Sequence, residues 1–518
     1  MIQQLLEHNH KLQNSHTRLE HQLEQLLRRL YGRSAEKIDP NQLALFQDLL
    51  QQMQAEAPAP QPAPAAAAAA QPSTNGHGRR QLPADLPRQR IVHDLPEEEK
   101  PCPCCGKMRQ VIGAETSEQL DYVPAKLTVL EHVRLKYACR ECEQNAAPEG
   151  PQITVAEKPL SPIEKGLAAP GLLAYVLVSK YSDHLPLHRL EHILERHGLQ
   201  IARSTMCDWA AQSAEVLKPL YDRMVQEVLS SKVIHTDDTP VDVLDRSLNQ
   251  TRTGRFWVYL GDYAHPFTVF SYTPSRSRDG PMKFLNEWGK DQRVYLQADA
   301  FGGYDGIYRG EAGGQVTESA CWAHARRKAY EARTSDPARS TQALAYIRLL
   351  YDVEDEAKKL CAGETDPRTY AIKLAAERLR LRQQLAVPRL QQIHAWMTSE
   401  QVEHGGRVLP KSPMGQAMQY ALNQWTALNT YVTDGDLAID NNAAENALRR
   451  IAVGRKNWNF LGSDNGGNTA GVLFSLMATC QRHKVDPFVY LRDVLTRIAA
   501  HPFKELANLL PDRWQPTS

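Results

Sequence analysis

Residues 231–244, SKVIHTDDTPVDVL, decide how the chain is read. Val233 and Ile234 are β-branched and apolar, as a buried strand requires, and Asp237 and Asp238 follow near that strand's end. Val241, Val243 and Leu244 carry the apolar pattern on past Pro240. The stretch RFWVYLGDYAHPFTVFSYTPSR (255–276) then predicts two strands around a Gly-Asp turn. A helix through MKFLNEW (282–288) leads to RVYLQADAFGGYDG (293–306), where another strand ends in Asp299 and Gly302 and Gly303 permit a tight turn. Two aspartates therefore stand at or near strand ends, 62 residues apart. Each is equally an ordinary turn former.

A third acid lies far downstream, in AIDNNAAENALRRIAVGRKNW (438–458). Asn442 and Glu445 have the spacing of a helix-capping box, and Glu445 and Arg449 that of an intrahelical ion pair. Two strand-end aspartates followed by a glutamate opening a helix also form a recurring constellation for phosphoryl transfer. Its carboxylates hold two divalent cations about 3.5–4 Å apart. Hard oxygen donors select Mg²⁺ or Mn²⁺ over zinc. HARRKAYEAR (324–333) and LRRIAVGRK (448–456) put cations beside the second and third acids. Arg326, Arg327, Arg449, Arg450, Arg455 and Lys456 are then expected to face DNA phosphates.

Composition bounds the class. At 518 residues the chain suggests several domains, and its net charge of +1, from 61 basic and 60 acidic residues, makes any nucleic-acid site a matter of local clustering. No apolar run is long enough to span a membrane and the N-terminus lacks a secretory pattern, so a cytoplasmic, nucleoid-associated protein is expected.

Within residues 1–54, Leu5, Leu12, Leu19 and Leu26 share one heptad position, and Ile2, Asn9, His16, Leu23 and Leu30 the other. This is the seam of a coiled coil that pairs two chains, although an amphipathic helix packed on its own protein has a similar pattern. Residues 55–86 are a Pro/Ala-rich linker. Within 87–150, Cys102 and Cys105 in CPCCGK, with Cys139 and Cys142 in CREC, are spaced to close a tetrahedron around a structural Zn²⁺ at the end of a ribbon. In 151–225, a break at Gly198 separates two helices, with Ser204 or Thr205 capping the second. That outline fits a helix-turn-helix with Arg203, Ser204 and Thr205 toward DNA, and fits two ordinary packed helices equally well.

Cys321 and His324, in CWAH, resemble half a metal site without a second half, so a packing role is expected. Trp458 reads as a core residue with base stacking as the alternative.

HTDDTPVDVL, LQADAFGGYDG, CWAHARRKAYE and DNNAAENALRRIAVGRKNWNFLGSDNGG, taken in series with the zipper and the ribbon, resemble the transposases of the insertion-sequence-66 family. The resemblance implies an α/β, ribonuclease-H-like catalytic core of the Asp-Asp-Glu type, with Asp237, Asp299 and Glu445 as its triad and Asp238 a neighbouring acid. It places the core at 226–334 and 434–475, a helical insertion at 335–433 and a helical C-terminal segment at 476–518. It further implies double-stranded DNA, both element ends and target, as partner, and small accessory proteins from the same element. A DNA-binding regulator without catalysis and a structure-selective nuclease of the same fold are the alternatives.

Overall fold

The computed structural model describes residues 127–138, 153–156, 160–164, 166–245, 247, 250–401 and 404–516. The expected zipper, the linker and all four ribbon cysteines (Cys102, Cys105, Cys139 and Cys142) lie outside the described residues. Of the ribbon, β1 (Lys136–Ala138) pairs antiparallel with β2 (Ile153–Val155). The second strand of this pair lies beyond the cysteines in sequence.

Three helices follow. In α1 (Pro170–Tyr181), Pro170 presets the first turn, and Leu173, Ala174, Val176 and Leu177 bury most of its girth. The next helix, α2 (Leu187–Glu195), ends before Gly198, whose φ of +79° lets the chain reverse. The long helix α3 (Arg203–Leu229) has Ala202 at its N-cap, not Ser204 or Thr205, and runs past the boundary expected at 225. The Arg203 amide instead donates to Glu191 Oε1 of α2, 3.2 Å away. A carboxylate from the preceding helix thereby takes over the capping role.

The main sheet is built from β3 (Val233–Asp245), β4 (Gln250–Leu260), β5 (Thr268–Thr273), β6 (Val294–Gln297) and β7 (Val316–Ser319). Its order is β5-β4-β3-β6-β7, with β4 antiparallel to both neighbours, β6 parallel to β3 and β7 parallel to β6. Between β5 and β6, helix α4 (Asp279–Phe284) is shorter than expected, because Glu287 turns the chain with φ +59° before Trp288 is buried.

β3 passes through Pro240 without a break, so Asp237 sits mid-strand. One edge of β3 is paired continuously with β4. The other edge pairs with β6 at 233–235 and with a short β8 (Phe460–Leu461) at 242–243. Residues 236–241 face neither strand there, and Pro240, lacking an N–H, sits in that opening.

Helices α5 (Trp322–Glu331), α6 (Pro337–Leu360), α7 (Pro367–Leu381), α8 (Val387–Ser399) and α9 (Pro413–Asn423) follow the sheet. They share a second core with the sheet edge at Val233 and Tyr295. Arg382, fully buried at the π-helical turn joining α7 to α8, donates to Glu354 at 2.7 and 2.8 Å. It also donates to the carbonyls of Tyr431, Asp434 and Leu437 at 2.7–2.9 Å, so the insertion grips the chain as it returns to the sheet.

The returning chain forms α10 (Asn442–Trp458), then β8, α11 (Asp464–Arg482) and α12 (Pro487–Arg497). α11 is one continuous helix across the boundary expected at 475. It packs on β5, with Ser475 and Thr479 hydroxyls bonded to the Phe270 amide and to the Thr268 backbone.

Candidate active site

Asp237 projects from the middle of β3, Asp299 stands two residues beyond β6, and Glu445 lies in the first turn of α10. The parallel pairing of β3 with β6 carries both aspartates past the same end of the ladder, near enough for the Asp299 charge to act on Asp237. Burial pushes the Asp237 carboxyl up to about 7, the Asp238 amide opposes the shift, and the charges of Asp299, Asp238 and Glu445 add to it. Burial also raises Asp299, against the pull of Arg276.

Asp238 is spoken for. Arg255 Nη1 donates to its Oδ2 at 2.8 Å, and Arg276 Nε and Nη2 donate to its Oδ1 at 3.0 and 2.8 Å. Its side chain is only 1% exposed. Arg276 also stacks on the Phe301 ring, 4.0 Å from the centroid, and approaches Asp299 Oδ2 to 3.8 Å. The Asp238 amide, in the open stretch of β3, donates to Asp237 Oδ1 at 2.7 Å.

The capping box expected at Asn442 does not form. Asn441 is the N-cap residue, and its side chain makes no cap bond. The Asn442 side-chain amide donates to Asp440 at 2.9 Å. Nor does Glu445 settle on Arg449: its carboxylate meets Arg327 Nη2 at 3.5 Å and His324 Nε2 at 3.6 Å, both from α5. Long-range electrostatics outweigh the local pair because α5 and α10 converge at the site. Burial holds the His324 pKa down, opposed by Glu445. Cys321 is buried, and its Sγ accepts from the Asn441 amide at 3.2 Å. The CWAH stretch therefore packs the site together.

The donor set fits a divalent cation. Its oxygens are hard, Asp299 Oδ1 and Glu445 Oε1 are buried without hydrogen-bond partners, and the charges of Asp299 and Glu445 raise the cost of ionising Asp237. Among the described residues, no group of three or more His, Cys, Asp or Glu side chains is gathered closely enough to hold a metal ion as it stands.

The basic residues divide. Arg449 and Lys456 are exposed on α10. Arg450 is half-buried and bonded to Gln481 of α11, and Arg455 bonds to Thr239 Oγ1 at 3.0 Å and to the Pro240 carbonyl. Those two lie on the flank of α10 that carries Leu448, Ile451 and Gly454 inward, so the sheet and α11 claim them first. Arg326, half-buried, lies near Tyr351 of α6, and Arg327 is engaged by Glu445. Arg203 and Ser204 are exposed at the start of α3, with Thr205 half-buried. Trp458 packs against the main core beside Gly454. Asn441, Gln297, Arg276 and Arg255 lie inside the quoted stretches without an assigned role, so the part each plays emerges only from packing.

Residues 165–469 match the family model described as transposase IS66 family. The chain belongs to that family. Further models of this transposase family match residues 99–143 (zinc-finger binding domain of transposase IS66), 18–91 (Transposase C of IS166 homeodomain) and 475–511 (IS66 C-terminal element). Two uncharacterized proteins of Sinorhizobium fredii (strain NBRC 101917 / NGR234) are similar along most of their length. To y4hP the identity is 31% over 457 residues, covering 85% of this chain and 77% of that protein. To y4jD it is 30% over 446 residues, covering 84% and 81%. Among solved structures, a chain of the Drosophila P element transposase strand transfer complex is distantly similar. Its TM-score is 0.32 at 9% identity, over 60% of this chain and 92% of that one. No helix of the described residues is long and apolar enough to cross a membrane.

Proposed function

We propose that this transposase cuts the ends of an insertion element and joins the freed 3′-hydroxyl to target DNA, using Asp237, Asp299 and Glu445. The observation that carries the reading is that the charges of Asp299 and Glu445 reach the Asp237 carboxyl, while Asp299 Oδ1 and Glu445 Oε1 are buried without hydrogen-bond partners. The sheet supports a ribonuclease-H-like core: its first strand is central, with an antiparallel hairpin on one side and two parallel strands on the other.

Asp237, Asp299 and Glu445 would hold Mg²⁺ or Mn²⁺. When bound, the cations supply charge that sharpens an oxygen nucleophile and steadies the oxygen that leaves. In the first step a water oxygen bonds to the phosphorus at the element end, the bond from phosphorus to the 3′-oxygen breaks, and that oxygen leaves as a hydroxyl. In the second, this hydroxyl attacks a target phosphodiester, its proton is released, and a target 3′-oxygen departs. His324, its pKa lowered by burial and raised in turn by Glu445, is placed beside that carboxylate to exchange a proton. Arg327 tethers Glu445, and Arg276, locked by Asp238 and Phe301, orients Asp299. Arg449 and Lys456 would meet DNA phosphates, with Arg203, Ser204 and Thr205 offering a second contact from α3. The ribbon cysteines would hold Zn²⁺, and the N-terminal zipper would pair two protomers at two ends.

A mini-element transposition assay tests this. A marker between the element's own ends is supplied with its neighbouring reading frames and either the intact protein or Asp299→Asn at matched levels. Insertions that depend on Asp299 support the reading, and insertions that persist with Asp299→Asn overturn it. Cut but unjoined product would point to a nuclease.

A further inference from the structure

We infer that Asn441 and Gln297 form a buried amide clamp that sets the Glu445 helix in register with the two aspartate strands. Both act as positioning residues for the metal-binding carboxylates, an inference that rests on the proposed metal site.

Both side chains are fully buried and polar. Gln297, the last residue of β6, donates through Nε2 to the carbonyls of Ala438 at 2.6 Å and Asp440 at 3.1 Å. Its Oε1 accepts from the Ala438 amide at 3.2 Å. Asn441 donates through Nδ2 to the Thr236 carbonyl at 2.8 Å, and its Oδ1 meets His235 Nδ1 at 3.0 Å. The Thr236 carbonyl lies in the stretch of β3 that neither β6 nor β8 pairs, so one side chain does the work of a missing strand partner. Two further bonds close the clamp from α5: Trp322 N to Ile439 O at 3.1 Å, and Asn441 N to Cys321 Sγ at 3.2 Å.

The connectivity gives the clamp its consequence. His235 and Thr236 immediately precede Asp237, Gln297 lies two residues before Asp299, and the Glu445 amide donates to the Asn441 carbonyl at 3.3 Å. Every bond of the clamp thus ends close in sequence to a proposed ligand or to His324. Outer partners that orient metal ligands typically change metal affinity about 10- to 100-fold when removed.

The test measures two quantities on the full-length protein: hydrogen–deuterium exchange of the 438–448 segment, and Mn²⁺ affinity by calorimetry. The variants are Asn441→Ala, the volume-preserving Gln297→Met, Asp237→Asn, and Ser475→Ala as a control. Ser475 is a buried hydroxyl whose loss orphans the Phe270 amide on the α11 face of the sheet. Expected is faster exchange at 438–448 and about tenfold or greater loss of Mn²⁺ affinity in the two clamp variants. Ser475→Ala should lower stability while leaving both readouts unchanged. Unchanged exchange at 438–448 in both clamp variants overturns the inference. So does Mn²⁺ affinity that stays intact in them while Asp237→Asn abolishes it. Binding that also survives Asp237→Asn removes the metal site itself, and the clamp's role with it. Should Asn441→Ala fail to fold, Gln297→Met alone decides.

Discussion

Replacing Asp237 with asparagine should stabilise the metal-free protein, although the same change destroys the proposed activity. In the folded chain, burial and the neighbouring Asp299 and Glu445 raise this carboxyl from 3.8 to about 7. A raised carboxyl favours folding while it stays protonated. That advantage is complete below about pH 4 and is lost as pH climbs through about 7. At about 1.36 kcal/mol per pKa unit the ceiling is about 4 kcal/mol, and solvent screening of a half-buried group leaves roughly 2–4 kcal/mol. The side-chain amide introduced by Asp237→Asn carries no charge to desolvate, so the variant should melt roughly 2–5 °C higher than the parent at pH 8 without divalent cation. At pH 5 most of the difference should vanish. Mn²⁺ should raise the parent's midpoint at pH 8 and leave the variant's almost unmoved. Differential scanning fluorimetry in EDTA and in Mn²⁺ at both pH values reads all of this. A variant that melts at or below the parent at pH 8 in EDTA would refute the electrostatic account of the site.

Arg382→Ala should cost about 3–5 kcal/mol, because it leaves buried Glu354 with Arg378 alone and deprives the Tyr431, Asp434 and Leu437 carbonyls of their donor, and chemical denaturation would show the insertion's core melting first. Lys456→Ala and Arg449→Ala should each reduce the salt dependence of DNA binding by about one unit of slope, measured by fluorescence anisotropy across salt. Arg455→Ala, which loses bonds to Thr239 and Pro240, should instead lower thermal stability with a smaller change in that slope. Elemental analysis of the purified chain should find about one zinc per protomer, falling toward zero in the double variant Cys102→Ser, Cys105→Ser.

The acids were legible because each sits in a strongly patterned local segment: Val233 and Ile234 before Asp237, VYL before Asp299, and the helical run after Glu445. The bonds that give those acids a common site were not. Gln297 reaches residues 141 and 143 positions away, and Asn441 reaches back 205 and 206. The capping-box pattern at Asn442 misled for the same reason, since α5 supplies Glu445 with a cation and a histidine that local spacing cannot reveal. The pattern around Asp237 suggests a strand about to end, yet β3 continues through Pro240 because the strand has an opening there where no amide is required. The split among the basic residues of α10 follows from which flank of the helix is buried, a matter settled by β3 and α11.

The insertion between Asp299 and Glu445 has a consequence for the order of events during synthesis. β3, β4 and β5 pair over short sequence distances, so the sheet can begin to assemble as soon as those strands leave the ribosome. The third carboxylate emerges only after the 145 residues that separate it from Asp299, and its docking through Asn441 requires contacts across more than 200 positions. A nascent or prematurely terminated chain therefore carries a nearly complete sheet without Glu445, so under the proposed mechanism only a chain synthesised through α10 could assemble the centre.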